Sequence, residues 1–283
     1  MQFLIFASVF LIVMALMNFY IWRRFLRLLD FDKAGYLVVI PVVLLLGDSF
    51  FIVDIATNII PDSPALYFIS SSFIGITFML FVVAVFYDLS ITVSKRVPVD
   101  QSRRRVLKMI FDVTMLVAAF AYFLRGFSHG VRFPTINPVK VKVKDFPLEK
   151  FTLVQLTDVH VGRTIKRDFI EKLVFETNQL KPDMVVITGD LVDLPIADIE
   201  YDLYPLKDLH APTYFILGNH EYFHGVGEAL AYVRELGIKP LLNEHVVIGE
   251  GEQRFTLVGL NDVMGSRVDF FPPDVAVAFD GVD

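Results

Sequence analysis

Four long apolar stretches occupy the first half of the chain, and they constrain its fold more than any other feature. Each is close to the ~20 residues that a helix needs to cross the ~30 Å hydrocarbon core of a bilayer. The first stretch has no basic leader before it and no small-residue cleavage site after it, so it is predicted to be a retained span rather than a signal peptide. The predicted spans are Phe3–Ile21, Ala34–Ile55, Ala65–Tyr87 and Val106–Leu124.

The amino-acid composition agrees with a membrane protein and excludes several other classes. A mean hydropathy of +0.56, with 54% hydrophobic and 20% charged residues, is too apolar for a disordered chain or an ordinary soluble globule. The chain has no cysteine, which excludes a disulfide scaffold, thiol nucleophiles, iron–sulfur clusters and cysteine-ligated zinc. Any metal site must therefore use His, Asp, Glu or Asn.

Charge is divided unevenly between the two halves. Residues 1–133 contain 12 Lys and Arg against 8 Asp and Glu, whereas residues 134–283 contain 14 against 24. We therefore predict a four-span membrane domain over 1–133 and a soluble domain over 134–283. The acidic balance of the second half argues against a nucleic-acid-binding surface.

Basic residues predict how the spans are oriented. The connections after the first and third spans contain ten Lys and Arg together, and the connection Ala56–Pro64 contains none. Under the positive-inside rule those two connections are cytoplasmic, which places the N-terminus and the soluble domain outside the cytoplasm. A second basic group follows the last span and opposes this orientation. The residues in the two connections are Arg23, Arg24, Arg27 and Lys33, then Lys95, Arg96, Arg103, Arg104, Arg105 and Lys108, and those after the last span are Arg125, Arg132, Lys140, Lys142 and Lys144.

Three acids lie within the predicted spans. Asp48 and Asp54 are expected near the outer end of span two and Asp112 near the inner end of span four, where each could reach headgroups or water. A transport or proton path is the alternative. No pair of interrupted helices in repeated halves accompanies them, so the spans are predicted to form an anchor or lipid-facing platform.

The second half has the pattern of a layered α/β fold, in which short apolar runs alternate with helical periodicity. The apolar runs predict buried strands, and an alternating Val-Lys run predicts a half-exposed strand. The predicted strands are Val139–Val143, Phe151–Thr157, Met184–Thr188 and Pro212–Leu217, with a hairpin of Val246–Gly249 and Phe255–Leu260; the predicted helices are Phe169–Leu180 and Glu228–Leu236.

Metal-type ligands follow three of these strands. The first strand leads into Asp158-Val-His160, the second into Gly189-Asp190-Leu-Val-Asp193, and the third into Gly218-Asn219-His220-Glu221. Ligands of open α/β sheets bind at the carboxyl edge, so these side chains are expected around one crevice.

These motifs resemble the signature of the calcineurin-like metallophosphoesterases, which reads Asp-x-His, Gly-Asp-x-x-Asp and Gly-Asn-His-Asp/Glu. The run from Phe151 to Gly162 is similar to the bacterial phosphodiesterase-type members, and four spans before such a domain resemble the transmembrane-anchored branch. The resemblance implies a four-span helical transmembrane bundle followed by an α/β (α+β) double-sheet sandwich. It also implies two divalent cations, for which oxygen and imidazole ligands suit Mn²⁺, Fe or Zn²⁺.

The resemblance assigns a role to each metal-type residue. Asp158 and His160 would bind the first metal, Asp190 would bridge both metals, and Asn219 would bind the second through its amide oxygen. The competing interpretation is that Asp158 and Asp190 only cap the helices after their strands.

Other residues of the motifs receive supporting roles. His220 would stabilise the transition state or protonate the leaving oxygen, with Glu221 orienting its ring. Asp193 would contact and support the metal-binding residues without binding a metal itself. His224 is interpreted as a loop residue and His245 as a turn residue before a strand.

The family's last two blocks, a His and then Gly-x-His, do not occur before Asp283. A fragment of a longer protein and a degenerate, inactive relative are both consistent with this. The function expected is a membrane-anchored metallophosphoesterase that hydrolyses a phosphate mono- or diester, with lipid-linked esters among the candidate substrates. The alternative is a catalytically inactive membrane scaffold.

Overall fold

The computed structural model of the chain describes residues 2–29, 34–57, 59–61, 63–94, 101–130 and 132–282. It divides into two compact units, Met1–Pro134 and Thr135–Asp283. The basic residues Lys33, Lys95 and Arg96, which contribute to the predicted orientation, lie outside the described residues.

The first unit is built from four long apolar helices, one over each predicted span, although the second begins at Val39, after a 3₁₀ turn, rather than at Ala34. Pro41 and Pro64 fall in the first turns of the second and third helices, where a missing N–H costs no hydrogen bond. Each helix contains a segment long and apolar enough to cross a membrane. The helices are α1 Gln2–Arg24, α2 Val39–Thr57, α3 Pro64–Ser94 and α4 Gln101–Gly130, with short 3₁₀ turns at Leu26–Leu28 and Ala34–Val38.

The C-terminal parts of α1 and α3 lie at the same end of this unit. Arg24 forms an ion pair with Asp88 at 3.3 Å, which links the end of α1 to the end of α3. Lys108 of α4 donates to the Leu28 carbonyl at 2.5 Å. Below these polar contacts the helices share an apolar core of Ile21, Phe25, Leu26, Leu29, Ala84 and Tyr87.

The three acids of the spans do not reach solvent, contrary to the expectation for them. Asp48, Asp54 and Asp112 are 0%, 1% and 2% exposed. Each has protein partners instead, because a carboxyl group removed from water needs hydrogen bonds. Asp54 accepts from the Ile60 N–H at 2.7 Å, and Asp112 contacts Tyr87 and Lys108.

The second unit contains a four-stranded parallel sheet in the order β1-β2-β3-β4. Leu156 lies opposite Ile187, and Ile187 lies opposite Phe215, so the strands end close to the same level. The three strands predicted from the apolar runs are confirmed, although β1, at the edge of the sheet, is partly exposed rather than buried. The strands are β1 Leu153–Leu156, β2 Met184–Thr188, β3 Thr213–Ile216 and β4 Lys239–Pro240.

Helices connect the strands and cover the sheet. Ile170 of the first, Ile199 of the second and Val233 of the fourth helix are buried with the strand residues Val185 and Phe215. The two predicted helices, Phe169–Leu180 and Glu228–Leu236, are confirmed within a few residues, and the four other helices of this unit were not predicted. The helices are α5 Arg167–Gln179, α6 Ile196–Leu203, α7 Asn219–His224, α8 Val226–Glu235, α9 Met264–Val268 and α10 Val275–Ala278.

A second, two-stranded antiparallel sheet follows, formed by β5 Glu244–Ile248 and β6 Phe255–Gly259. It confirms the predicted hairpin. Gly259 packs against Leu241 and Ile216, and a Cβ at this position would overlap the Leu241 side chain. The two sheets therefore meet through a close contact that only glycine allows.

The predicted strand over Val139–Val143 is wrong. This segment has no regular secondary structure and no strand partner among the described residues, and Val139, Val141 and Val143 are 73%, 75% and 59% exposed. Alternation of Val and Lys is compatible with a strand, but a strand forms only where a neighbour accepts its backbone hydrogen bonds.

Candidate metal centre

The segments that follow β1 and β2 stay hydrogen-bonded to each other beyond the ends of the strands. The His160 N–H donates to the Asp190 carbonyl at 3.0 Å, and the Val161 N–H donates to the Leu191 carbonyl at 2.8 Å. The Asp193 N–H returns a bond to the Val161 carbonyl at 2.8 Å. This continued pairing fixes the first two motifs side by side.

Three of the predicted metal-binding residues have left-handed backbone. The φ angles are 54° at Asp158, 55° at His160 and 50° at Asp190. This conformation costs roughly 1–2 kcal/mol for a residue with a Cβ. Such strain persists only where surrounding structure enforces it, and it is concentrated at functional sites.

A backbone contact between two glycines joins the second and third motifs. Gly189 has φ 77°, and a Cβ there would lie 2.5 Å from the Gly218 N and Cα atoms. A Cβ on Gly218 would overlap the Asp190 carboxylate. The glycine that precedes the metal-type residue in each motif is therefore required by this approach.

Glu221 is buried beneath the site with 0% exposure, and it holds the second and third motifs together. Its two carboxylate oxygens accept from the backbone N–H groups of Gly218 at 2.7 Å, Leu191 at 2.8 Å and Asp190 at 3.1 Å. Burial raises the pKa of Glu221, and these backbone hydrogen bonds act in the opposite direction. The carboxylate is therefore a backbone clamp, which corrects the expectation that it orients the ring of His220.

Asp158, His160 and Asp190 form the first of two clusters at the carboxyl edge of the sheet. One ligand atom from each lies within 4.8 Å of the others. The Nε2 atom of His160 and the Oδ1 atom of Asp158 are 3.9 Å apart. Two ligands at about 2.0–2.2 Å from one cation can span that separation.

The second cluster contains His160, Asp193 and His220. His160 Nδ1 lies 2.7 Å from Asp193 Oδ1 and hydrogen-bonds to it. With its Nδ1–H donated to Asp193, His160 has Nε2 free to bind a cation, which is the usual arrangement of a metal-binding histidine and its carboxylate. Asp193 therefore holds the His160 ring through Nδ1 and leaves Nε2 available, which agrees with the supporting contact expected of it.

His220 lies against both partners of this second cluster. Its Nδ1 is 2.6 Å from Asp193 Oδ1, at an angle that does not make a hydrogen bond, and its ring meets the His160 ring edge-on with centroids 4.5 Å apart. The contact between Asp193 and two imidazoles was not predicted. The only signal for it in the sequence was the position of Asp193, three residues after Asp190.

Asp190 has a second role at the start of a helix. Its Oδ1 accepts the backbone N–H of His220 at 2.9 Å, in the first turn of α7. The capping interpretation is therefore wrong, because neither Asp158 nor Asp190 caps the helix after its own strand, and Asp190 bonds instead to the helix after β3. A carboxylate has about four lone-pair sites, so this bond leaves acceptor capacity for a cation.

The residues of the first cluster fit a divalent cation, because they combine two carboxylates with an imidazole whose Nε2 is free. Asn219 is the first residue of α7 and is partly buried. Its position between Gly218 and His220, directly after β3, places the residue at the same edge of the sheet.

His224 and His245 belong to neither cluster among the described residues. His224 ends α7 with its ring 6.1 Å from the His220 ring, and burial lowers its pKa. His245 lies within β5 rather than in a turn before it, and its Nδ1 is 3.0 Å from the Ala278 carbonyl.

Comparison with known proteins gives matches over both units. A family model described as calcineurin-like phosphoesterase matches residues 151–276. An uncharacterized metallophosphoesterase of Helicobacter pylori is 32% identical over 272 residues, covering 94% of this chain and 70% of the relative. One from Campylobacter jejuni is 29% identical over 285 residues, covering 98% and 74%. A Danio rerio transmembrane protein with metallophosphoesterase domain is 27% identical over 292 residues, covering 93% and 63%.

Proposed function

Because the chain belongs to the calcineurin-like metallophosphoesterase superfamily, we propose that it is a membrane-anchored phosphohydrolase that cleaves a phosphate mono- or diester with metal-activated water. The observation that carries this proposal is the first cluster. Asp158, His160 and Asp190 bring ligand atoms within 4.8 Å of one another at the carboxyl edge of the sheet. All three also have left-handed backbone, which is often found at functional sites.

Asp158 and His160 would hold the first cation, and Asp190 would bridge it to a second cation bound by Asn219. The Asp193 carboxylate fixes the tautomer and the ring orientation of His160 through the 2.7 Å contact. Two bound divalent cations supply a water of lowered pKa and neutralise charge on the phosphoryl oxygens. Mn²⁺, Fe and Zn²⁺ are the candidate metals for this donor set.

His220 would hold the proton for the leaving oxygen. Asp193 Oδ1 lies 2.6 Å from its Nδ1, so Nε2 is the ring atom that would carry the proton. The bond from its own N–H to Asp190 fixes the backbone of His220 relative to the metal-binding carboxylate. His220 would then act as an acid beside the expected position of the scissile bond.

The four spans would keep the enzyme at the cell membrane, which makes lipid-linked phosphate esters the first substrate class to test. Following the distribution of basic residues between the connections, we also place the soluble unit on the extracytoplasmic side.

Substitution Asp190→Asn tests the proposed enzyme activity. The amide oxygen of Asn can still accept the His220 N–H, so the fold should survive, whereas the charge that would bridge two cations is lost. Hydrolysis of bis-p-nitrophenyl phosphate and p-nitrophenyl phosphate by the full chain would be measured with Mn²⁺. We expect the rate to fall at least 100-fold, because one lost ligand charge costs roughly 3 kcal/mol or more.

Asp198→Asn is the matched control, since Asp198 is exposed in the first turn of α6 and should leave the rate unchanged. A rate for Asp190→Asn above about a tenth of the wild-type rate would contradict the bridging role. Wild-type protein that neither binds metal nor hydrolyses either ester would support the inactive scaffold instead.

A further inference from the structure

A polar cluster lies in the middle of the membrane unit, far from the metal centre in sequence. Asp48 is the central residue of α2, nine residues from Val39 and nine from Thr57. At ~1.5 Å rise per residue it is about 14 Å from either end of the helix. Its partners are Asn18 of α1 and Thr77 of α3, so three helices contribute to the cluster.

Close packing of α2 on α3 removes water from this position. Gly47 faces the Phe73 ring, and a Cβ at Gly47 would overlap that ring. Thr77 lies one turn after Phe73 on α3. Asn18, Asp48 and Thr77 are 3%, 0% and 0% exposed, so the polar groups of the cluster must be satisfied by protein atoms or a bound ion.

The hydrogen bonds on one side of the cluster are complete. Asp48 Oδ2 accepts from the Thr77 hydroxyl at 3.0 Å and from the Asn18 amide at 3.3 Å. The same Asn18 Nδ2 donates to the Met14 carbonyl at 3.0 Å, so both of its hydrogens are used. This fixes the amide orientation, because a flipped amide would set its oxygen against two acceptors.

The other side of the cluster has two unsatisfied acceptors. Neither Asn18 Oδ1 nor Asp48 Oδ1 has a hydrogen-bond partner within the described part of the chain, and both atoms are buried. The donors around Asp48 are neutral, so an ionised carboxylate here would carry a charge without a counter-ion at membrane depth. Such a charge is costly, and the cost is removed by one positive charge.

We propose that Asp48 binds a proton on Oδ1 and donates it to Asn18 Oδ1. A carboxylic acid and a primary amide each offer one donor and one acceptor, and one half of that reciprocal pair, from Asn18 Nδ2 to Asp48 Oδ2, is already present. A proton needs only the two free oxygens, whereas a metal ion such as Na⁺ requires more oxygen ligands than the cluster leaves free. The membrane unit therefore contains a proton-binding site between α1, α2 and α3.

Other titratable groups of these three helices bond elsewhere and do not compete for the proton. Tyr20 and Arg24 both contact Asp88 near one end of the unit. Asp54 accepts from the Ile60 N–H, and Tyr87 donates to Asp112. Loss of the proton from Asp48 would leave Oδ1 and the Asn18 amide oxygen as two buried acceptors without a donor among the described residues, which weakens the contact of α1 with α2.

Infrared spectroscopy of the full chain in lipid tests this site. We expect a protonated-carboxyl C=O band at neutral pH that shifts to lower frequency in D₂O. Asp48→Asn should abolish this band and still fold, because a second amide can pair reciprocally with Asn18. Asp54→Asn is the matched control and should retain the band. Asn18→Leu should move the band to higher frequency, since it removes the acceptor of the carboxyl proton.

Identical carboxyl regions in the wild-type and Asp48→Asn spectra would overturn the proposal. Replacement of Na⁺ by choline at constant pH should leave the melting temperature unchanged. A melting temperature that depends on Na⁺, together with an absent carboxyl band, would overturn it in favour of a metal ion.

Discussion

At the scale of single residues, the identity of the candidate ligands could be predicted, but the contacts of their neighbours could not. Asp158, His160 and Asp190 follow apolar strands, and parallel strands bring their carboxyl ends to one edge of a sheet. The directions of the side chains that follow the strands depend on left-handed turns. Hydrophobic periodicity in the sequence does not indicate such turns. For this reason the twofold contact of Asp193 and the clamp made by Glu221 were found only in the structure.

Removal of the Glu221 carboxylate should loosen the site without removing a metal ligand. Glu221→Ala leaves the N–H groups of Gly218, Asp190 and Leu191 unpaired, at about 1–3 kcal/mol for each buried group that finds no other partner. Hydrogen exchange of the full chain, followed by mass spectrometry, should show faster exchange in peptides containing these amides. Glu235→Gln, at the exposed end of α8, should leave their exchange unchanged. Unaltered protection in Glu221→Ala would show that the clamp is dispensable.

Tyr222 fixes α7 to the segment after α9, and its ionisation provides a pH test. Burial raises the pKa of Tyr222 to about 12, with further contributions from Asp262 and Glu221, and its hydroxyl donates to the Phe271 carbonyl at 2.8 Å. Because the pKa of Tyr222 in the folded state is above the ordinary tyrosine value of 10.0, the stabilisation is complete below pH 10 and is lost as the pH rises towards 12. Unfolding of the wild type should become easier across that interval, and Tyr222→Phe should show a smaller change. Equal pH dependence of both proteins would contradict this.

At the scale of secondary-structure elements, runs of consecutive apolar residues predicted strands correctly, whereas the alternation of Val and Lys did not. The observed bounds of β2 match the predicted ones, because a strand buried on both faces is apolar along its whole length and therefore appears in the sequence as one continuous apolar run. The Val139–Val143 segment alternates as an edge strand would, yet it remains unpaired and exposed, since pairing depends on a partner that the local sequence does not specify.

The unpaired Val139–Val143 segment should be the first site of cleavage in the native protein. Trypsin is expected to cut after Lys140, Lys142 or Lys144, because a protease must bind extended backbone that is free of internal hydrogen bonds. Lys172 is also exposed but lies in α5, so cleavage there should be slower. Mass spectrometry of timed digests identifies the first cut, and substitution of the three lysines by Gln should delay it. A first cut at Lys172 would contradict the exposed, unpaired state of the segment.

At the scale of the whole molecule, hydropathy and charge were enough to separate a membrane half from an α/β half. The four spans and the parallel sheet followed from the lengths of apolar runs and from their spacing. The buried positions of Asp48 and Asp112 could not be predicted in this way, because they depend on which faces of the helices meet.

Orientation of the whole chain can be tested with reporter fusions. Alkaline phosphatase fused after Asp283 should be active and a fluorescent protein that folds only in the cytoplasm should be dark, because ten basic residues lie in the first and third connections and none in the second. A fusion within the second connection should report the same side as the C-terminal fusion. Bright fluorescence after Asp283 would reverse the proposed topology.

The hydrogen bonds that continue between the β1 and β2 segments, together with the Glu221 clamp, have a mechanical consequence for the site. The three motif segments are joined to one another by hydrogen bonds between backbone groups and by those to the Glu221 carboxylate. They should therefore move together as one rigid unit. Distances between the donor atoms would then change little between the metal-free and metal-bound forms. A rigid site of this kind would select cations by their radius, because its ligands could not move closer around a smaller cation or apart around a larger one.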